Sequence, residues 1–393
     1  MQPSPPPDRP VLVQWLVDTR HLWPEAVQTR QLTTVAAPAL AVLLSDEERA
    51  GILKFFHVRD AKMALASQLL KHYVVARCGG SSGGGSGSGG GGGGIPWSAT
   101  HLTRDARTKP VYVDPATGAQ PVAFNVSHQA GLVVLAAVYG APAGAGGAAA
   151  SGDGFEVGVD IVSPAERRAR DRQSVETEGG WPRFVDVYAD VFAPGEVQYL
   201  KDEVPEEDDS TVAMDPAALP PPPSPSLDLL DRRLRAFYAL WCLREAYIKM
   251  TGEALLAGWL AELEFREFRA PPVVVVSAAA VTAANASGPP DLCQSPDATI
   301  THCAIQFRNH PVDDQNAVNL CLRALGTDYM VCTMVRSPAD PAQARALPTA
   351  RPLEPVSLDA IVAFAERSLQ AEATMAAAAA PSAPGQAGEN QAS

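Results

Sequence analysis

The sequence predicts an α+β fold. Apolar residues recur at helical spacing in two long stretches, near residues 45–73 and 227–251, while most other apolar segments read as short strands grouped around them. A weak internal echo adds to this. Phe56-His57-Val58-Arg59-Asp60-Ala61 lines up with Trp241-Cys242-Leu243-Arg244-Glu245-Ala246, each in an aromatic-rich amphipathic helix in opposite halves of the chain, which hints at a duplicated unit.

Residues 10–17 read as the first strand. Ser45-Asp46-Glu47-Glu48 opens a helix: Ser45 can cap, Glu48 completes a capping box, and the acids suit the helix dipole. Apolar positions then continue to about Tyr73, in one helix or two. Residues 79–94 contain only Gly and Ser. No Gly-Lys-Ser/Thr follows, so the run reads as a flexible insert and not as a phosphate-binding loop. Strands are expected at Val111–Val113, Val122–Val126, Leu132–Val138 and around Val157, with an Ala/Gly-rich insert at about 141–152. Residues 202–226 are acidic, then Pro-rich, and read as a loop outside the core. A long helix follows from about Leu227 to Thr251, with Gly252 as its stop. Later strands are expected near Leu263–Phe265, Val273–Val276, Ala304–Phe307 and Tyr329–Cys332. Beyond Pro338 the chain is Ala/Pro-rich and expected to be disordered, with one amphipathic helix at Leu358–Leu369. The expected division is 1–140, 141–337 and a tail of 338–393.

A formal net charge of -13 argues against a nucleic-acid binder driven by bulk charge. The six cysteines show no Cys-x-x-Cys or zinc spacing and read as reduced thiols. The N-terminus has no apolar signal region, and no apolar run is long enough to span a bilayer, so a cytoplasmic protein without membrane contact is expected.

Three segments carry candidate chemistry. In Val157-Gly158-Val159-Asp160-Ile161 the carboxylate reads as the end of a strand beside a glycine, facing a cleft; it reads equally well as a turn or capping residue before Ser163-Pro164. In Trp241 to Lys249, Glu245 and Lys249 stand four apart on one helix face, the spacing of an ordinary salt bridge. A carboxylate on so apolar a helix needs a partner, and Mg²⁺ takes one or two protein carboxylates together with phosphate oxygens and water. In Phe124-Asn125-Val126-Ser127-His128 the histidine closes a strand. Alone it reads as structural; beside Arg104 and Lys109 it could bind phosphate. Asn125 reads as structural, and Trp241 as core or as a wall against a ligand.

In this order the three segments resemble the 4′-phosphopantetheinyl transferase family, in particular its single-chain type that includes the eukaryotic aminoadipate-semialdehyde dehydrogenase transferase. Arg104-Asp-Ala-Arg-Thr-Lys109-Pro110 resembles the family segment before the Asn-x-Ser-His strand. The resemblance covers roughly residues 45–335 without the inserts. It implies two similar subdomains, each with a small, mainly antiparallel sheet and a long helix, and coenzyme A in the cleft between them. It also implies transfer of the phosphopantetheine arm to a serine of apo acyl or peptidyl carrier domains, such as those of aminoadipate reductase, polyketide synthases and nonribosomal peptide synthetases. By carry-over, Asp160 and Glu245 would hold Mg²⁺. Ser127, His128, Arg104 and Lys109 would contact coenzyme A, and Lys249 would neutralise the pyrophosphate or protonate the leaving group. Lys54 and Arg59 are candidates for a second basic contact. A monomer is implied, since one chain supplies both halves.

Two departures stand out. Many members have Asp-x-Glu where this chain has Asp160-Ile161-Val162, and Arg244 stands where Lys is common. The basic run Arg167-Arg168-Ala169-Arg170-Asp171-Arg172 reads either as a carrier-docking patch or as a solvated helix face. Two rival readings are a non-catalytic coenzyme A- or carrier-binding regulator and a two-carboxylate hydrolase using Asp160 and Glu245.

Overall fold

A computed structural model describes residues 9–80, 94–140, 154–204, 211–213, 228–253, 259–275, 290–308, 310–312 and 317–379. Residues 81–93 of the Gly/Ser insert, the Ala/Gly insert at 141–152, most of the acidic and Pro-rich segment and residues 380–393 lie outside the described residues. The strands that bear on the site are β1 (Val11–Asp18), β2 (Val122–Gln129), β3 (Leu132–Tyr139), β4 (Glu156–Val162), β5 (Leu263–Arg266), β6 (Thr299–Ile300), β7 (Ala304–Phe307), β8 (His310–Pro311), β9 (Asn319–Leu325), β10 (Tyr329–Arg336) and β11 (Glu354–Pro355). The helices that matter most here are α1 (Asp46–Leu53), α2 (Val58–Cys78), α3 (Pro164–Thr177), α4 (Gly180–Asp186), α5 (Leu229–Thr251) and α6 (Leu358–Ala379); a short helix at Pro194–Gln198 carries Glu196.

The architecture is α+β and duplicated. One sheet has the order β11-β1-β3-β2, the other β6-β9-β10-β4. In each half a first strand (β1 or β4) precedes a long helix (α2 or α5), and a hairpin (β2–β3 or β9–β10) follows. The first strand then pairs antiparallel with the second strand of that hairpin. A small third sheet, β8-β7-β5, flanks the second half. The echo that hinted at duplication does not itself superpose: Asp60 lies in the first turn of α2, whereas Glu245 lies near the far end of α5.

The helix ends follow from their sequence. Ser45 accepts the backbone N–H of Glu48 at 3.1 Å, capping α1. Glu48 reaches back to the N–H of Leu44, one residue beyond the capping-box position. The predicted helix through Tyr73 is broken between Leu53 and Val58 into α1 and α2. Asp228 caps α5 through the N–H of Asp231 at 2.8 Å, and Gly252 ends it in the left-handed region at φ 74°.

Three apolar cores result. One packs α2 and α6 on the first sheet, a second packs α5 on the other sheet, and a third lies between the sheets. Strand β9 escaped the sequence reading because Arg323 interrupts its apolar run. The structure buries that guanidinium, which donates to the carbonyls of Thr349 and Arg351.

The expectation of disorder beyond Pro338 is corrected. β11 pairs parallel with β1, and α6 buries Leu358, Ile361, Val362 and Ala365 in the core of the first half. The amphipathic helix expected at Leu358–Leu369 is present as the first part of α6, and its apolar stripe is what docks the segment on the core. Among the described residues no helix is long and apolar enough to cross a membrane.

Candidate active site

The site lies where the two sheets meet. β2 and β4 are edge strands that run alongside each other without forming a ladder. Side chains join them instead. Asn125 accepts the backbone N–H of Val159 at 2.9 Å, a buried bond that replaces a missing ladder contact, so its role is structural as predicted. Ser127 Oγ donates to Asp160 Oδ1 at 2.8 Å.

Strand alternation explains how Asp160 is presented. Val157, Val159 and Ile161 enter the core between the sheets, while Gly158, Asp160 and Val162 point to the α5 side. Asp160 therefore does not end a strand or cap a helix. It sits inside β4, paired with Cys332 of β10, and is only 4% exposed. Gly158 is what lets α5 come so close: a Cβ there would fall 2.0 Å from the Ala246 carbonyl oxygen and 2.7 Å from the Met250 nitrogen. Helical spacing then lays Cys242, Glu245, Ala246 and Lys249 along this strand.

Lys249 Nζ donates to Asp160 Oδ1 at 2.5 Å and to Ser127 Oγ at 2.8 Å, so a serine, an aspartate and a lysine from three elements meet at one point. The Cys242 thiol lies beneath, 3.5 Å from the Asp160 carbonyl oxygen; burial raises its pKa well above the ordinary value and keeps it neutral. Glu245 completes the group. It makes no hydrogen bond or ion pair among the described residues. Desolvation, then the nearby Asp160 charge, raise its pKa, and Lys249 only partly offsets them. Two carboxylates that penalise each other's charge fit a divalent cation.

Among the described residues no group of three or more His, Cys, Asp or Glu side chains gathers around a metal-sized gap. This agrees with Val162, which packs in the core of the second half and offers no third carboxylate. The donor set is thus two carboxylates, and it suits Mg²⁺ held jointly with phosphate oxygens and water.

The other predicted site residues are less uniformly placed. His128 reaches solvent next to Ser127. Crowding by protein atoms, then the positive charge of Lys249, lower its pKa, with Lys71 adding to the effect. Arg104 is exposed on the short ribbon Thr103–Arg104 and donates to the Thr108 carbonyl at 2.6 Å. Lys109 stands apart, donating to the Val157 carbonyl at 2.8 Å, about 10 Å along β4 from Asp160 at the usual strand rise. Burial pushes its pKa down to about 8. Lys109 lines a cavity of about 180 Å³ with Arg107, Glu156 and Thr251 at the end of α5. Lys54 is exposed, and Arg59 is committed to Glu166 of α3 at 3.1 Å across the halves.

Arg244, which stands where Lys is common, faces away from this group. It is 2% exposed and pairs with Glu196 at 2.7 Å while donating to the Leu263 carbonyl, so it anchors α5 to β5. Trp241 packs with Tyr188, Phe192 and Phe237 in the aromatic core. In the basic run, Arg172 pairs with Asp228 at 2.8 Å and Arg168 with Asp231. Arg167 and Arg170, with Arg183, line a cavity of about 320 Å³ between α3 and α4.

Comparison with known proteins agrees with this geometry. Residues 34–140 match the family model described as 4′-phosphopantetheinyl transferase, N-terminal, and residues 156–287 match that of the 4′-phosphopantetheinyl transferase superfamily. The chain is 48% identical over 263 residues to 4′-phosphopantetheinyl transferase 1 of Fusarium mangiferae, covering 67% of this chain and 74% of that protein. It is 31% identical over 339 residues to 4′-phosphopantetheinyl transferase NpgA of Emericella nidulans, covering 83% of each. A more distant relative, at 26% over 216 residues, is the human L-aminoadipate-semialdehyde dehydrogenase-phosphopantetheinyl transferase, with 54% of this chain and 49% of that one covered. With both halves matched in order and the shared seam between them built from Ser127, Asp160 and Lys249, the chain belongs to the 4′-phosphopantetheinyl transferase family.

Proposed function

We propose that this chain transfers the 4′-phosphopantetheine arm of coenzyme A to a serine hydroxyl of an apo acyl or peptidyl carrier domain, as a Mg²⁺-dependent holo-carrier-protein synthase. The observation that carries the reading is the meeting of Ser127, Asp160 and Lys249 beside the unpaired Glu245. The serine oxygen forms a bond to the β-phosphorus of coenzyme A, and the bond from that phosphorus to the bridging oxygen breaks. Adenosine 3′,5′-bisphosphate leaves with the bond's electron pair.

Asp160 and Glu245 would hold Mg²⁺, which supplies neutralisation of the pyrophosphate charge that otherwise repels the incoming oxygen. Glu245 accepts the serine proton, directly or through a water. Burial and the Asp160 charge raise its pKa above the ordinary carboxylate value, the direction that strengthens a base. Lys249, fixed by Asp160 and Ser127, stands one turn beyond Glu245 and stabilises or protonates the departing phosphate. His128 and Arg104 bind the nucleotide end. Lys109 holds the start of β4 in place and reaches coenzyme A only at the edge of the site. An acidic carrier helix would dock at the cavity of Arg167, Arg170 and Arg183, whose wall includes Phe184 and Val187. Carrier domains of aminoadipate reductase, polyketide synthases and nonribosomal peptide synthetases are the candidate acceptors, and a cytoplasmic monomer is the expected form.

The test is the intact mass of an apo peptidyl carrier protein incubated with this protein, coenzyme A and Mg²⁺. The expected result is a gain of one phosphopantetheine, lost with EDTA and in Glu245→Gln. Coenzyme A binding without any gain on several carriers would favour the regulator instead.

A further inference from the structure

We propose that Glu166 is a positioning residue: held by Arg59 and Gln129, it ties the two halves at the outer end of the seam and so keeps Ser127 of the first half against Asp160 and Lys249 of the second; the catalytic consequence rests on the transferase reading above. Val122, Phe124 and Val126 of β2 enter the core under α2, so Asn125, Ser127 and Gln129 share the opposite face of the strand. All three reach into the second half. Asn125 Oδ1 accepts the N–H of Val159 at 2.9 Å, Ser127 Oγ donates to Asp160 Oδ1 at 2.8 Å, and Gln129 Nε2 donates to Glu166 Oε2 at 3.1 Å. At the usual strand rise, Ser127 lies about 7 Å from a tie on either side.

The outer tie differs from the other two. Glu166 stands in the first turn of α3, where a negative charge suits the helix dipole, and each of its oxygens takes a donor from a different element. Oε2 accepts from Gln129 at the end of β2, and Oε1 pairs with Arg59, at the start of α2, at 3.1 Å. Asp60 steadies the same guanidinium at 3.5 Å. A carboxylate that bridges two donors is held in one geometry. One side chain thus joins α3 to both α2 and β2.

Among the described residues no backbone ladder joins β2 to β4, so side chains set the distance between them. The Asn125 tie is buried, whereas the outer one is at the surface, with the Arg59 side chain 64% exposed and that of Glu166 28%. An ion pair so exposed contributes little to global stability. Its effect is local. Lys249 bonds Ser127 across the seam at 2.8 Å, and a displacement of about 1 Å at such a point is enough to cost a large factor in rate.

The Val159 amide reports on the seam, because its hydrogen bond crosses it. Hydrogen exchange at Val159 in the whole protein should be about fivefold faster in Glu166→Ala than in the wild type, with Tm within about 2 °C. Transfer to an apo peptidyl carrier protein should show kcat down about tenfold and KM for coenzyme A within about twofold. Gln129 offers both a donor and an acceptor, so Arg59→Glu combined with Glu166→Arg can keep all three contacts. That double variant should return both readouts to within about threefold of the wild type, and either single reversal should not. Glu166→Gln, which keeps an acceptor for Gln129 and lacks the charge for Arg59, replaces the Ala variant if that one melts early. Unchanged exchange, unchanged kcat, a loss confined to KM, or no recovery in the double variant would overturn the assignment. Faster exchange in a Glu166 variant of a protein that transfers nothing would uphold the tie and reject the transferase reading.

Discussion

Glu245 shows most plainly how a single residue trades stability for chemistry. Its folded-state pKa lies above the unfolded value, because burial and Asp160 disfavour the anion. A carboxyl shifted in that direction contributes stability below its unfolded pKa and loses it as pH rises through the folded one. In metal-free protein, Glu245→Gln should therefore melt no lower than the wild type at pH 7. The gap in its favour should open as pH rises above the unfolded value of about 4. Transfer should fall at least about a hundredfold, the scale of removing one group that acts on transition-state charge. Added Mg²⁺ should raise the melting temperature of the wild type and not of the variant. A variant that melts well below the wild type at pH 7, or that keeps the Mg²⁺ shift, would contradict this assignment. The sequence showed Glu245, Lys249 and Asp160 because acids and amines stand out on apolar elements. It could not show that Arg244 is an anchor, since its partner Glu196 lies 48 residues away on another helix.

At the level of elements, the distance between β4 and α5 sets the site. Gly158 governs that distance, since any side chain there would strike the helix backbone. Gly158→Ala should destabilise the fold by about 1–3 kcal/mol, the usual cost of overpacking. It should also lower kcat by moving Glu245 and Lys249 away from Asp160. Denaturant unfolding with a kcat measurement checks both, and unchanged values for either would show that the contact is slack. Most strands were legible from β-branched runs and most helix ends from caps and glycines. The break between α1 and α2 was not, because Lys54-Phe55-Phe56-His57 carries no Gly or Pro to mark it.

Across the whole molecule, residues 341–379 act as a strap. The carbonyls of Thr349 and Arg351 accept from Gln14 of the first half and from Arg323 of the second. α6 then crosses to the first core, where Ser368 Oγ accepts the backbone N–H of Trp97. Burial of Leu358, Ile361 and Val362 is worth about 1.5–3 kcal/mol per side chain, a sum comparable with the net stability of a domain. A chain ending at residue 350 should therefore lose cooperative unfolding by circular dichroism, and retention of the full-length melting temperature would refute the strap. The sequence showed the stripe at Leu358–Leu369 but not the surface it packs on, which is built by residues hundreds of positions earlier.

The seam between β2 and β4 has a consequence beyond catalysis. Each sheet ends there in an edge strand whose backbone groups have no ladder partner within its own sheet. Such edges are templates for joining other chains. Each half shields the other's edge, and the bond from Val159 to Asn125 fills one of the open positions. Either half expressed alone should expose its edge and associate with itself. The proposed reaction centre thus stands on a line along which the two halves cover each other's edges.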